Sequence, residues 1–165
     1  MMMNKAYKIL CYILCSWFGT GFCPVASGTA GSFATLPLAF AMAYFLGYQG
    51  IIIATVICFF VGVIASKEVL KYTKHDPSLI VIDETAGQLL SFVLVANALE
   101  GNLHAWWTYL LGFALFRLFD ITKPQPAKYF DSKVLNAWGV MLDDIAAGVY
   151  AAILLYVAAQ YLPIL

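Results

Sequence analysis

Apolar stretches separated by short polar breaks run along almost the whole chain. Five of them predict membrane-spanning helices, at about residues 33–47, 50–66, 83–99, 104–119 and 145–162. An earlier apolar stretch, residues 9–18, is too short to cross about 30 Å of hydrocarbon, so we expect an interfacial or re-entrant helix there. The pattern therefore predicts an all-α polytopic membrane bundle, formed as a single domain over residues 1–165.

Composition supports a membrane protein and excludes other classes. Hydrophobic residues make up 63% of the chain and the mean hydropathy is +0.86, whereas the apolar share of a soluble domain is about half. The formal net charge of zero argues against a nucleic-acid partner, because nucleic-acid binders carry a basic stripe. We therefore expect the membrane as partner, no nucleic acid and no obligate protein partner.

Lysine and arginine residues predict the orientation of the bundle. In the five-span arrangement they all fall on one side, whereas the turns at 47–50 and 100–104 on the other side contain none. Positive residues favour the cytoplasmic side of a membrane, so the basic side is expected to be cytoplasmic. The same arrangement places the polar motifs of the chain at that face.

Charged residues are concentrated at the ends of three predicted spans. Arg117 and Asp120 are three residues apart and so share one helix face, and Lys123 follows before a proline-containing turn.

Two acidic pairs, Asp83-Glu84 and Asp143-Asp144, lie at the starts of other spans. Each pair has a glycine about four residues further on, at Gly87 and Gly148. Glycines at these positions let helices approach closely, so we expect the two acidic pairs to converge.

Converging carboxylates beside fixed cations are suited to divalent metal and phosphate chemistry. Oxygen ligands without cysteine or histidine favour Mg²⁺. The candidate metal ligands are Asp83, Glu84, Asp143 and Asp144. Arg117 and Lys123 are the candidate phosphate-binding cations. The candidate catalytic residues are Asp83, Asp120 and Asp144, and the sequence leaves open whether Asp120 or Asp144 is the general base.

A segment rich in glycine, serine and threonine precedes the first predicted span. Gly28, Thr29, Gly31 and Ser32 cluster there, and we expect a loop whose backbone N–H groups could cradle an anion at the start of the following helix. The cluster contains two hydroxyl side chains, Thr29 and Ser32. Taken alone, such a segment is more often a packing device for membrane helices.

Four motifs, GTAGS, DPSLIVIDETAG, FRLFDITKPQP and MLDDIAAGVYA, occur in this order. In sequence and spacing they resemble the bacterial phosphatidylglycerophosphatase A family. The resemblance implies a multi-pass, Mg²⁺-dependent lipid phosphatase of the bacterial inner membrane that converts phosphatidylglycerophosphate to phosphatidylglycerol in phospholipid biosynthesis. It places the family's polar residues on Thr29, Ser32, Asp76, Asp83, Glu84, Arg117, Asp120, Lys123, Asp143 and Asp144. It also implies that Thr29 and Ser32 are substrate-binding residues. Gln125 departs from the family pattern, since an aromatic residue is expected between the two prolines.

Other functions are consistent with part of this pattern. A small ion- or proton-coupled transporter would also keep acidic residues in a membrane, but near the bilayer midplane rather than at one face beside basic partners. A structural membrane subunit gives no reason for two acidic pairs on one side. The sequence favours the phosphatase. It leaves open the number of metal ions and the choice between direct attack by water and an aspartyl-phosphate intermediate.

Overall fold

Helices form all the regular structure in the described part of the chain. The structure is a computed structural model that describes residues 5–73, 77–98 and 106–161. Its α-helices are α1 (Lys5–Cys15), α2 (Ser27–Val69), α3 (Ile82–Ser91), α4 (Val93–Ala98), α5 (Trp106–Thr122), α6 (Ala127–Lys133) and α7 (Ala137–Tyr161). A short 3-10 turn, Thr20–Phe22, precedes α2. The predicted all-α class is confirmed in these ranges.

Helix α2 folds back on itself at Gly47. The backbone there has φ 62° and ψ −157°, a conformation outside the helical region that glycine adopts most readily. A Cβ atom at Gly50 would lie 2.8 Å from the carbonyl oxygen of Met42. In a straight helix these two residues would be about 12 Å apart along the axis. The chain therefore reverses within the predicted turn at 47–50, and α2 consists of a first arm (27–46) and a second arm (48–69).

Helix α1 confirms a helix in the predicted N-terminal apolar stretch, with shifted bounds. It begins at Lys5 and ends at Cys15, whereas residues 9–18 were expected to be helical. Cys11 and Cys15, one turn apart, are its buried residues. The N–H of Val81 donates a hydrogen bond to the carbonyl oxygen of Cys15 at 2.9 Å, which ties the end of α1 to the start of α3. Eleven residues extend about 16 Å, too little to cross a bilayer.

The segment expected to be a loop before the first span is helical from Ser27 onward. The GTAGS motif thus forms the first turns of α2, which begins six residues earlier than the predicted span at 33–47. The expectation of a loop here is wrong. Gly31 packs against the residue that precedes α3, because a Cβ atom at Gly31 would lie 2.9 Å from Cβ of Val81. Close helix packing therefore compensates for the low helix propensity of the glycines.

Two helices, α2 and α7, are long and apolar enough to cross a membrane, judged by length and composition. Large hydrophobic side chains are exposed along both, among them Phe45, Ile53, Ile64 and Leu154. Such a surface is typical of a protein associated with a membrane. The predicted third span falls on two short helices, α3 and α4, separated at Phe92. The arrangement of five spans stays a prediction.

Candidate metal and phosphate site

Three carboxylates converge where α3 and α7 cross. Each of Asp83, Glu84 and Asp144 offers a carboxylate oxygen, and these oxygens all lie within 4.8 Å of one another. Asp83 and Glu84 are in the first turn of α3, and Asp144 lies on α7 two turns after that helix begins. Asp83 and Asp144 are only 5% and 4% exposed. The predicted convergence of the two acidic pairs is confirmed for these three residues, which we call the carboxylate cluster.

Two glycines produce this convergence. A Cβ atom at Gly148 would lie 2.5 Å from the carbonyl oxygen of Gly87. A Cβ atom at Gly87 would lie 2.5 Å from the carbonyl oxygen of Asp144. Both distances are far shorter than any side chain tolerates, so α3 and α7 touch backbone to backbone. The close contact expected from the sequence at these glycines is confirmed.

Arg117 borders the carboxylate cluster. Its Nη1 atom lies 2.5 Å from Oδ2 of Asp120, one turn further along α5. A Cβ atom at Gly28 would collide with Oε1 of Glu84 and lie 3.1 Å from Nη1 of Arg117. The guanidinium and the cluster therefore meet across the first turn of α2. The absence of a side chain at Gly28 makes room for both groups.

Ser32 and Thr29 lie on the same turns of α2. The Ser32 hydroxyl is buried, donates to the carbonyl oxygen of Gly28 at 2.8 Å and lies 3.5 Å from Nη1 of Arg117. Thr29 follows Gly28 directly and is half-buried. The structure thus brings Ser32 to the arginine and places Thr29 next to the glycine at the cluster.

Lys123 holds two carboxylates together. Its Nζ atom donates to Oδ1 of Asp131 at 2.5 Å and to Oδ2 of Asp143 at 2.7 Å. Partial burial lowers the pKa of Lys123, but the hydrogen bonds to Asp131 and Asp143 outweigh burial and raise this pKa above its usual value. The loop after Lys123 is fixed to α7, because the Tyr150 hydroxyl donates to the carbonyl oxygen of Gln125 at 2.5 Å.

The remaining candidates occupy positions around the cluster. Asp143 precedes Asp144 on α7 and contacts Lys123, so the Asp143-Asp144 pair links the lysine to the cluster. Asp120 forms an ion pair with Arg117. Asp76 lies outside the described residues.

Asp131 and Gly28 play parts that the sequence did not indicate. Asp131 was not among the predicted site residues, although it stands in the same polar segment as Lys123. The sequence predicts Gly28 as part of a loop, whereas in the structure it is helical and provides space for Glu84 and Arg117.

The carboxylate cluster has the chemistry of a site for a hard divalent cation. All its donors are oxygen atoms, as Mg²⁺ prefers. The Oε2 atom of Glu84 is buried and has no hydrogen-bond partner within the described ranges. Because a buried carboxylate oxygen without a partner is costly, a bound cation would satisfy it. The residues present therefore fit the implied Mg²⁺.

The fold and the site define a class: helical, membrane-associated proteins with a carboxylate cluster that could bind a metal ion, set beside an arginine and a lysine. The phosphatidylglycerophosphatase A family model matches residues 13–159. The chain belongs to this family. No solved structure matches the chain.

Three relatives cover most of the chain. The phosphatidylglycerophosphatase A of Haemophilus influenzae is 36% identical over 151 residues, which are 91% of this chain and 88% of the relative. The phosphatidylglycerophosphatase A of Escherichia coli is 34% identical and covers 93% of this chain and 86% of the relative. A protein of Bacteroides thetaiotaomicron, named as a proposed phosphatidylinositol-3-phosphatase, is 33% identical. The match covers 93% of this chain and 96% of the relative.

Proposed function

We propose that this protein is a Mg²⁺-dependent phosphoric monoester hydrolase that converts phosphatidylglycerophosphate to phosphatidylglycerol and phosphate. The observation that carries the proposal is the convergence of Asp83, Glu84 and Asp144 within 4.8 Å of one another. Membership of the phosphatidylglycerophosphatase A family supports the lipid substrate.

Asp83, Glu84 and Asp144 are the proposed ligands of Mg²⁺. When bound, the ion supplies positive charge that polarises the phosphoryl oxygens. Asp143 was also a candidate ligand from the sequence. Because its Oδ2 atom accepts a hydrogen bond from Lys123 at 2.7 Å, we assign it to holding the lysine beside the cluster.

Arg117 and Lys123 are the proposed phosphate-binding cations. Two of the three N–H donors of the Lys123 ammonium go to Asp131 and Asp143, and we assign the third to a phosphate oxygen. Arg117 presents its guanidinium at the first turn of α2, where the hydroxyls of Thr29 and Ser32 complete the phosphate site. Fixed cations at these positions stabilise the charge that moves during in-line displacement at phosphorus.

Asp120 is the proposed general base. It lies outside the carboxylate cluster, is paired with Arg117 and keeps 12% of its side chain exposed. In the proposed reaction it takes a proton from the attacking water, whose oxygen forms a bond to phosphorus. The bond between phosphorus and the glycerol oxygen breaks, and the released oxygen takes a proton from solvent. Asp83 and Asp144 act through the metal site.

The proposed placement is the inner membrane of a bacterium, with the site at the cytoplasmic face. Each arm of α2 contains about 20 residues, enough to cross about 30 Å of hydrocarbon. We propose that the two arms, α3 with α4, α5 and α7 form the five spans. The one-sided distribution of lysine and arginine supports this orientation.

Phosphate release by the purified protein in detergent tests the proposed substrate. We expect Mg²⁺-dependent release from phosphatidylglycerophosphate and far less from glycerol 3-phosphate, because burial of acyl chains contributes about 0.8 kcal/mol per methylene to lipid capture. Phosphatidylinositol 3-phosphate serves as a competing lipid substrate. Equal turnover of the lipid and its soluble headgroup would contradict the proposal. Proton-coupled uptake into vesicles without phosphate release would support the transporter instead.

A further inference from the structure

A cavity with both charged and apolar residues in its walls lies outside the carboxylate cluster, where α1, the end of α2 and the start of α7 meet. Its volume is about 430 Å³, and its walls include Tyr7, Lys67, Glu68, Lys71 and Trp138. None of these residues is among the candidate metal or phosphate ligands. We call it the second cavity.

Glu68, one of the residues in the cavity wall, has a carboxylate oxygen without a hydrogen-bond partner among the described residues. The residue is 4% exposed, and its Oε2 atom pairs with Nζ of Lys71 at 2.5 Å. Its Oε1 atom is buried and has no hydrogen-bond partner among the described residues. A buried carboxylate oxygen left without a donor is costly. A ligand that brings a hydroxyl or ammonium donor into the cavity would remove that cost.

The charges of the second cavity favour a ligand with one negative charge. The cavity walls contain two lysines, Lys67 and Lys71, and one glutamate, Glu68. Their side chains together therefore carry one positive charge in excess. Lys67 and Lys71 also line a neighbouring cavity of about 270 Å³, between the end of α2 and the segment that leads into α7. A phosphodiester would neutralise the excess charge, whereas a zwitterionic headgroup would leave it in place.

The uncharged walls place the second cavity at the depth of lipid headgroups. Trp138 and Tyr7 are 48% and 40% exposed, and both residue types are enriched at membrane–water interfaces. Val63 and Ile64 add aliphatic surface one turn earlier on α2 than Lys67. The cavity also lies where one candidate spanning helix ends and the other begins. Such walls suit a molecule with a polar head and apolar chains.

We infer that the second cavity binds a phospholipid with a singly charged phosphodiester and a hydroxyl-bearing headgroup, of the phosphatidylglycerol type. The phosphodiester lies against Lys67 and Lys71, a headgroup hydroxyl donates to Oε1 of Glu68, and the acyl chains pass along Val63 and Ile64. This lipid class is also the product class of the proposed function, but the inference goes beyond that function and concerns a separate site.

Lipid titrations of the purified full-length chain in detergent, read by native mass spectrometry, test this inference. The probes are phosphatidylglycerol, phosphatidylmethanol, which has the same charge without a hydroxyl, and phosphatidylethanolamine. The wild-type protein should bind phosphatidylglycerol most tightly. Lys67→Gln should lower the affinity for both anionic lipids by about tenfold, which corresponds to the loss of one charge-assisted hydrogen bond. Glu68→Gln should reduce the preference for phosphatidylglycerol over phosphatidylmethanol.

Matched variants separate this site from the carboxylate cluster. Lys133→Gln removes an exposed lysine on α6 and should leave all three affinities unchanged. Asp144→Asn should keep the phosphatidylglycerol affinity. Loss of phosphatidylglycerol binding in Asp144→Asn would show that the lipid binds at the carboxylate cluster. This result would overturn the inference, but it would leave the proposed function intact. Unchanged affinity in Lys67→Gln, or equal binding of the two anionic lipids by the wild-type protein, would also overturn it.

Discussion

Gly87 and Gly148 bring α3 and α7 into backbone contact: a Cβ atom at Gly148 would lie 2.5 Å from the carbonyl oxygen of Gly87. This crossing lies one turn from the carboxylates of Asp83, Glu84 and Asp144. The separation of the two helices therefore determines whether one cation can contact all three carboxylates.

Replacing Gly148 by alanine should separate α3 from α7. The added methyl group meets backbone atoms that cannot rotate away, and overpacking of this kind costs about 1–3 kcal/mol. We expect a lower thermal midpoint in detergent and a large loss of phosphatase activity. Val149→Leu, which adds bulk at the exposed neighbouring position, is the control. Wild-type stability in Gly148→Ala would show that the crossing is looser than the structure indicates.

Gly28→Ala tests the contact between Arg117 and the cluster. The methyl group would collide with the end of the Glu84 side chain rather than with backbone, so the fold should persist while Glu84 moves. Displacements of about 1 Å at a reacting site cost about a hundredfold in rate, and we expect a loss of kcat/KM of that order. Phe33→Leu, at an exposed position on the same helix, should retain activity. Full activity in Gly28→Ala would remove Glu84 from the site.

Lys123 should be essential for turnover. Lys123→Ala removes a preorganised charge donor and should cost about 2–4 kcal/mol of transition-state stabilisation. Lys123→Arg should rescue poorly, because a planar guanidinium does not replace a compact ammonium between two carboxylates. The measurement is kcat/KM on the lipid substrate, with Lys128→Ala on the exposed side of α6 as control. A wild-type value of kcat/KM in Lys123→Ala would exclude the proposed role of Lys123 in phosphate binding.

The ion pairs of Lys123 should persist at alkaline pH. Hydrogen bonds to Asp131 and Asp143 outweigh burial and raise the pKa of Lys123 in the folded state. A group whose folded-state pKa is raised stabilises the fold fully below its unfolded pKa, and that stabilisation is lost only as the pH rises through the folded-state pKa. The difference in thermal midpoint between wild type and Lys123→Gln should therefore stay constant between about pH 7 and pH 10. A difference that shrinks over this range would contradict the assignment.

The sequence predicted the parts of the structure that local signals determine. Gly47 and Gly50 mark the reversal of α2, since two glycines close together interrupt an apolar run. The convergence of the acidic pairs followed from Gly87 and Gly148, because glycine at that spacing permits close helix packing. The end of α5 at Thr122 followed from Pro124.

Features that depend on tertiary packing could not be read from the sequence. The break between α3 and α4 at Phe92 falls inside an apolar run that contains neither proline nor glycine at that point. The helical state of the GTAGS motif depends on contacts of Gly28 and Gly31 with other helices. The pairing of Lys123 with Asp131 depends on how the loop after α5 turns back, which no residue spacing specifies.

The response of thermal stability to Mg²⁺ tests the central claim most directly, because it reports metal binding without requiring turnover. Addition of Mg²⁺ to the purified wild-type protein should raise its thermal midpoint, since a ligand that binds only the folded state stabilises it. Asp144→Asn and Glu84→Gln should lose this rise and all phosphatase activity. Glu68→Gln removes a buried carboxylate outside the cluster and should keep the rise. A rise of wild-type size in Asp144→Asn and Glu84→Gln would contradict the assignment of the carboxylate cluster as the metal site.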